Sequence, residues 1–110
     1  METYYKPEHL AHFGQIAEGQ GPLAEKFFAY YGAVFAEGAL TAREKSLIAL
    51  AVAHAVQCPY CIDAYSKDCL EKGSDLEQMT EAVHVACAIR GGASLVHGMQ
   101  MLGHVRKAGM

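Results

Sequence analysis

The sequence predicts an all-α fold of about six helices, and three observations carry that expectation. Alanine, leucine, glutamate, lysine and methionine dominate a chain that is 52% hydrophobic, with no tryptophan and only 3 prolines. Apolar residues recur at helical rather than alternating spacing, and no segment shows the period of a half-buried strand. Capping sequences and glycines punctuate the chain at helix-length intervals.

At 110 residues the chain is expected to be one domain, 1–110, long enough to bury a core. Pro7 and Glu8 open a first helix predicted to run to about Glu18. Gly19-Gln20-Gly21-Pro22 is a loop, with Pro22 suited to the first turn of a second helix. That helix carries Leu23, Phe27, Phe28, Tyr31 and Phe35 and stops at Gly38. These aromatics are read as core or subunit interface rather than as a cofactor box.

Thr41-Ala42-Arg43-Glu44 matches a capping box and starts a third helix over about 42–56. This helix is apolar on nearly every face, so it belongs in the middle of the assembly. Pro59 cannot continue its ladder but fits the first position of a fourth helix, which ends at Gly73. Ser74-Asp75-Leu76-Glu77 reads as a second capping box opening a fifth helix. Gly91-Gly92 is expected to break that helix, and a sixth runs from about Ala93 toward Val105.

The net charge is −3, from 9 basic and 12 acidic residues, with no basic stripe, which argues against nucleic acid as a partner. The segment METYYKPEHL lacks the charged start and apolar run of a signal peptide. The longest apolar run, Leu47 to Ala53, is too short to span a bilayer. A cytoplasmic location with no membrane partner is the expectation. In a reducing compartment the 4 cysteines are reactive, metal-binding or buried rather than structurally bridged.

Cys58-Pro59-Tyr60-Cys61 falls at the junction between the third and fourth helices. Two cysteines three apart at a helix start can close a disulfide with little backbone movement. Unpaired N–H groups and the positive end of the helix dipole favour a thiolate there. Thiolate is the reactive form in disulfide exchange and in attack on peroxides. Two other readings compete: an inert buried pair, and a zinc site. Zinc requires further ligands, and Cys69 and Cys87 are single and distant, with only His54 as a third candidate; no metal or cofactor is expected. A thioredoxin-type site would follow a β-strand, whereas this one follows a capped, alanine-rich helix.

The run Ser46-Leu47-Ile48-Ala49-Leu50-Ala51-Val52-Ala53, followed by the Cys58–Cys61 motif and a helix ending at Gly73, resembles the core of the carboxymuconolactone decarboxylase family. Within it, the chain is most similar to alkylhydroperoxidase-D-like peroxidases. Cys-Pro-Tyr-Cys-Ile-Asp-Ala-Tyr and Ile-Arg-Gly-Gly-Ala resemble the peroxidase-related proteins linked to arsenosugar biosynthesis. The resemblance spans roughly residues 23 to 102. It implies an all-helical domain assembled as a homotrimer or homohexamer. It implies hydroperoxide reduction, with the second cysteine attacking and the first resolving, and a dithiol or thioredoxin-like electron donor. It also implies a glutamate and a histidine that relay protons, at the positions held here by Ser46 and Tyr65. Both relay groups are therefore replaced. A non-redox lyase and a non-catalytic scaffold of the same fold are the alternatives.

Candidates for the missing groups come from the neighbourhood of the motif. His54, four residues before Cys58, shares its face if the helix stays regular, and imidazole suits proton transfer near neutrality. Tyr65, one turn after Cys61, can donate to a thiolate or a peroxide oxygen, or form a wall. The catalytic set read from the sequence is thus Cys58, Cys61, His54 and Tyr65. Glu44 is accounted for by its capping box, with a catalytic role as the alternative. His84 is expected to be buried, with a second relay partner as its alternative reading, and Cys69 and Cys87 to serve packing. His9 and His12, three apart, are read as part of a solvated face.

Overall fold

The computed structural model describes residues 5–109, and among these there are six helices and no strand. A short helix α1 (Pro7–Ala11) is followed by a 3₁₀ helix (Phe13–Glu18), then α2 (Gly21–Phe35), α3 (Ala42–Ala55), α4 (Pro59–Glu71) and α5 (Leu76–Lys107). The helix count agrees with the sequence reading, but two boundaries moved in opposite directions. The expected first helix is divided at His12, whose φ of −106° and ψ of 16° leave the helical range. The expected fifth and sixth helices are one 32-residue helix, which passes through Gly91 and Gly92 without a break. Glycine in a helix costs only about 1 kcal/mol relative to alanine. The helix has strong caps at its start and no competing turn at the glycine pair, so that cost is not enough to stop it.

The cap of α3 is as expected: Glu44 N–H donates to Thr41 Oγ1 at 3.1 Å, and Thr41 N–H donates to Glu44 Oε1 at 2.9 Å. The second capping box is shifted by one residue. Asp75, not Ser74, is the N-cap, and Gln78 supplies the returning oxygen. Ser74 instead closes the turn that ends α4. Gly73, at φ +87°, donates its N–H to Leu70 O, and Ser74 donates to Cys69 O. This is a Schellman ending, in which a left-handed residue lets two N–H groups turn back onto the last carbonyls.

Helix α3 is the centre of the packing, with α4 and α5 against it. Its buried face is Ser46, Leu50 and Ala53, at i, i+4 and i+7. Cys69 from α4 and Ala86 from α5 complete the buried set. Small side chains let the three helices approach closely. Ser46 is fully buried, its hydroxyl donating to Arg43 O at 2.7 Å, and the Cys69 thiol donates to the Ser46 carbonyl at 3.3 Å.

Much of the apolar surface stays uncovered in the single chain. Its accessible surface is 8407 Å², against about 5,900 Å² expected for a globular monomer of this mass. Its radius of gyration is 18.8 Å, against about 13 Å. The C-terminal half of α5 accounts for much of the excess. Ile89, Leu95, Val96, Met99 and Met101 are all at least 60% exposed. Cys87 and His84, expected to be buried, are also exposed, because no second helix covers that part of α5. No helix among the described residues is long and apolar enough to cross a membrane.

The turn between α3 and α4 repeats the Schellman geometry with an unusual residue. Gln57 sits at φ +56°, the one non-glycine among the described residues with positive φ. A side chain in this left-handed conformation costs about 1–2 kcal/mol. Gln57→Gly is expected to stabilise the reduced protein by about 1 kcal/mol, and Gln57→Val to destabilise it. Urea midpoints of the two variants, measured at unchanged m-value, check the pair.

Candidate functional site: the Cys58–Cys61 pair

Three constraints fix the backbone of the motif. Gln57 N–H returns to His54 O, and Cys58 N–H returns to Ala53 O at 3.0 Å, closing α3. Cys58 is then the N-cap of α4, with φ −100° and ψ 103°, and Pro59 occupies the first helical position. From α5, the Arg90 guanidinium donates to Ala55 O, tying that helix to the end of α3.

The sulfurs of Cys58 and Cys61 lie 2.8 Å apart. Cys58 Sγ does the work of a capping oxygen, accepting the Cys61 N–H at 3.3 Å. Cys58 Sγ in turn donates to Cys61 Sγ, so one proton lies between the two sulfurs. Burial pushes the Cys61 thiol up from 9.0 to about 11, and its hydrogen bond to Cys58 and the charge on that sulfur add to the effect. Cys58 Sγ sits beside the N–H groups and positive end of α4.

Two apolar cavities meet at Cys61. One, about 410 Å³, lies between α2, α3 and α4 and is walled by Val34, Phe35, Ile48, Val52 and Val56. The other, about 480 Å³, also contains Cys58 and is walled by Leu10, Phe13 and Phe27. Tyr31, Cys61 and Tyr65 line both. Tyr65 stacks on Phe35 at 5.3 Å, and Phe35 contacts Tyr31 at 4.9 Å, so the two phenols are held by one aromatic cluster. Burial raises the Tyr31 phenol above its usual range, and the charges of Cys61, Asp68 and Cys58 raise it further. Tyr31 remains a hydroxyl donor at any pH at which the site works.

The structure brings Cys58, Cys61 and Tyr65 together, but it does not bring His54 with them. The premise of a regular helix from His54 to Cys58 fails, because α3 ends at Ala55 and the chain reverses at Gln57. His54 lines neither cavity, and its Nδ1 is paired with Leu50 O at 2.9 Å. Glu44 is exposed at its cap, its carboxyl held low by the N–H and then the hydroxyl of Thr41. Ser46 faces the helix interior.

Two residues that sequence reasoning passed over join the site. Tyr31 was hidden within an aromatic helix, where a site residue and a packing residue look the same. His9 comes from α1 and lines the larger cavity with both cysteines. Its Nδ1 lies 3.2 Å from the Tyr60 hydroxyl. Tyr5 meets Tyr60 edge-on at 4.9 Å and donates its hydroxyl to Asp63 Oδ2 at 2.9 Å. These contacts fasten the N-terminal segment to α4. Neither histidine spacing nor local pattern foretells a contact between residues 51 apart. Among the described residues no carboxylate lines either cavity, and Lys45, the one ammonium there, donates to the Val34 and Ala36 carbonyls. No cluster of three or more metal-binding side chains occurs among the described residues.

A helical core with a Cys-x-x-Cys at the start of α4 defines a class, and comparison with known proteins identifies it. The model of the carboxymuconolactone decarboxylase family matches residues 21–103, and the chain belongs to that family. A relative from Paracoccus denitrificans, described as uncharacterized protein 4 in the cox locus, is 40% identical over 102 residues, covering 93% of this chain and 92% of the relative. A crystal structure of a Methanobacterium thermoautotrophicum protein superposes with a TM-score of 0.75 at 35% identity, covering 78% of this chain and 97% of that one. The apo structure of a carboxymuconolactone decarboxylase family protein from Legionella pneumophila gives a TM-score of 0.67 at 28% identity, covering 83% and 86%.

The raised Cys61 thiol has a consequence for stability. Its folded pKa lies above its unfolded one, so the folded state keeps a proton that the unfolded state loses. Stability should therefore fall as pH rises from about 9 to about 11, and Cys61→Ser should flatten that slope. Denaturant midpoints across this range, under reducing conditions, give the check.

Proposed function

We propose that the chain is a dithiol hydroperoxide reductase. The observation that carries this reading is the sulfur pair, 2.8 Å apart at a helix start, at the meeting of two apolar cavities. The Cys58 thiolate attacks the terminal oxygen of a hydroperoxide, forming an S–O bond and breaking O–O, and the alkoxide leaves with a proton. The Cys61 thiol then attacks the sulfenic sulfur, the S–O bond breaks, and water departs. The net change is two thiols and one hydroperoxide to one disulfide, one alcohol and one water. A dithiol or thioredoxin-like donor restores the pair. This order of attack follows the helix start, where the N–H groups and positive end of α4 favour a thiolate at Cys58, while burial raises the Cys61 thiol. It is the reverse of the order that the family resemblance implies. The apolar walls suit an organic hydroperoxide, and Tyr31 and Tyr65 supply hydroxyls at Cys61. Membership of the carboxymuconolactone decarboxylase family is compatible with this chemistry.

Consumption of cumene hydroperoxide with dithiothreitol tests the reading. Cys58→Ser and Cys61→Ser should each abolish turnover, while Cys69→Ser and Cys87→Ser should keep it. Dimedone should trap a sulfenic acid at Cys58 in Cys61→Ser. Label appearing faster at Cys61 in Cys58→Ser would restore the family's order. Wild-type protein that consumes no hydroperoxide would leave the non-catalytic scaffold in its place.

The reading includes assembly, as a homotrimer or homohexamer. Val85, Ile89, Gly92, Val96, Met99 and Gly103 repeat at alternating spacings of four and three along α5, forming one exposed stripe. Light scattering at micromolar concentration should give a mass above that of the 11.9 kDa monomer, and Val96→Lys should lower it.

A further inference from the structure

The proposed chemistry requires a group that takes the Cys58 proton and delivers it to the departing alkoxide, and the two positions that the family resemblance assigns to that task hold Ser46 and Tyr65. His54 is turned to the Leu50 carbonyl. Among the described residues, the titratable side chains around the larger cavity are Tyr31 from α2, Cys58 at the N-cap of α4, Tyr60, Cys61 and Tyr65 from α4, and His9 from α1. Asp63 is linked to this group through Tyr5 and is held as a carboxylate by its hydrogen bonds to Lys67 and then Tyr5. His12, on the next turn, is paired with Gln15 instead. His9 is the one imidazole that shares a cavity with both sulfurs.

We propose that His9 is the proton-handling residue of the Cys58–Cys61 site, oriented by the Tyr60 hydroxyl and supplied by an N-terminal element that lies outside the family's matched core. The inference rests on the hydroperoxide-reductase reading for its physiological role. Three observations support it. His9 and the sulfurs line one cavity. The Nδ1–Tyr60 hydroxyl contact at 3.2 Å fixes one side of the ring and leaves Nε2 free for proton transfer. Tyr60 lies between the two cysteines in sequence, and Tyr5 braces it edge-on, so the orienting residue is itself fixed. The family match begins at residue 21, so α1 supplies what the core lacks.

The proton count closes. His9 takes the Cys58 proton and becomes imidazolium. Attack forms the sulfenic acid and releases an alkoxide, and His9 returns the proton to give the alcohol. Cys61 carries its own proton to the hydroxide that leaves as water. His9 ends neutral and the two sulfurs end bonded.

The test measures two rates on the full chain, cumene hydroperoxide reduction and iodoacetamide alkylation of the reduced pair, each from pH 5 to 9. His9→Gln should lower the peroxide rate by ~10²–10⁴-fold. It should remove the limb of the pH profile in the range where an imidazole changes charge. Tyr60→Phe should give a smaller loss, and His12→Ala none. Free imidazole should partly restore His9→Ala, which a purely structural role would not allow. Circular dichroism and diamide-driven formation of the Cys58–Cys61 disulfide should match the wild type. A His9→Gln rate within twofold of wild type, with an unchanged pH profile, overturns the assignment. If the wild type reduces no hydroperoxide, the reductase reading fails separately. The alkylation profile then decides whether His9 exchanges a proton with the pair: an imidazole limb lost in His9→Gln supports it, and superimposable profiles refute it.

Discussion

The left-handed turn at Gln57 is the constraint on which the site depends. Pro59 bars α3 from continuing past Cys58, and the reversal at Gln57 sets how the chain leaves α3 and enters α4. Because Gln57 turns back at φ +56°, Cys58 N–H closes α3 through Ala53 O while Cys58 Sγ opens α4 by accepting the Cys61 N–H. One residue thus ends one helix and begins the next, and the second cysteine arrives one turn later against the first. Arg90 reinforces the same point from α5 through the Ala55 carbonyl. The helix start, the sulfur contact and the asymmetry between the two thiols all follow from that reversal.

The electrostatics of the pair depend on the cavities as much as on the helix. Burial is the largest cause of the raised Cys61 thiol. The walls responsible are the apolar side chains of α2 and α3 that line the cavities at Cys61. Tyr31 and Tyr65 sit at this boundary with their rings in the aromatic cluster. Their position combines an apolar surface with a hydroxyl group, which an aliphatic wall would not provide.

What could be read in the sequence followed the range of the interactions. The Thr41–Glu44 cap, Pro59 at the start of α4 and Gly73 at its end are local, and each was placed correctly. The Cys58–Cys61 pair was legible because its spacing has few packing explanations. Ser74 was taken for a cap because Ser and Asp stand side by side, and the choice of Asp75 depends on Ser74 closing the preceding turn. Gly91-Gly92 was read as a break because glycine disfavours helix, yet two such costs do not end a helix that no turn interrupts. His54 was placed by extrapolating a regular helix through a position that is not helical. His9 was passed over because its partners are Tyr60 and the cavity, contacts that exist only once the N-terminal segment lies against α4.

The burial of Ser46 bears on how this lineage can change. Its side chain has no exposed surface, its hydroxyl is satisfied by Arg43 O, and its carbonyl receives the Cys69 thiol. A glutamate introduced there would place a larger, ionisable group in the buried contact between α3 and α4, where an unpaired carboxylate costs several kcal/mol. A single exchange at Ser46 therefore cannot install an ionisable relay group without first widening the contact between α3 and α4 around Cys69.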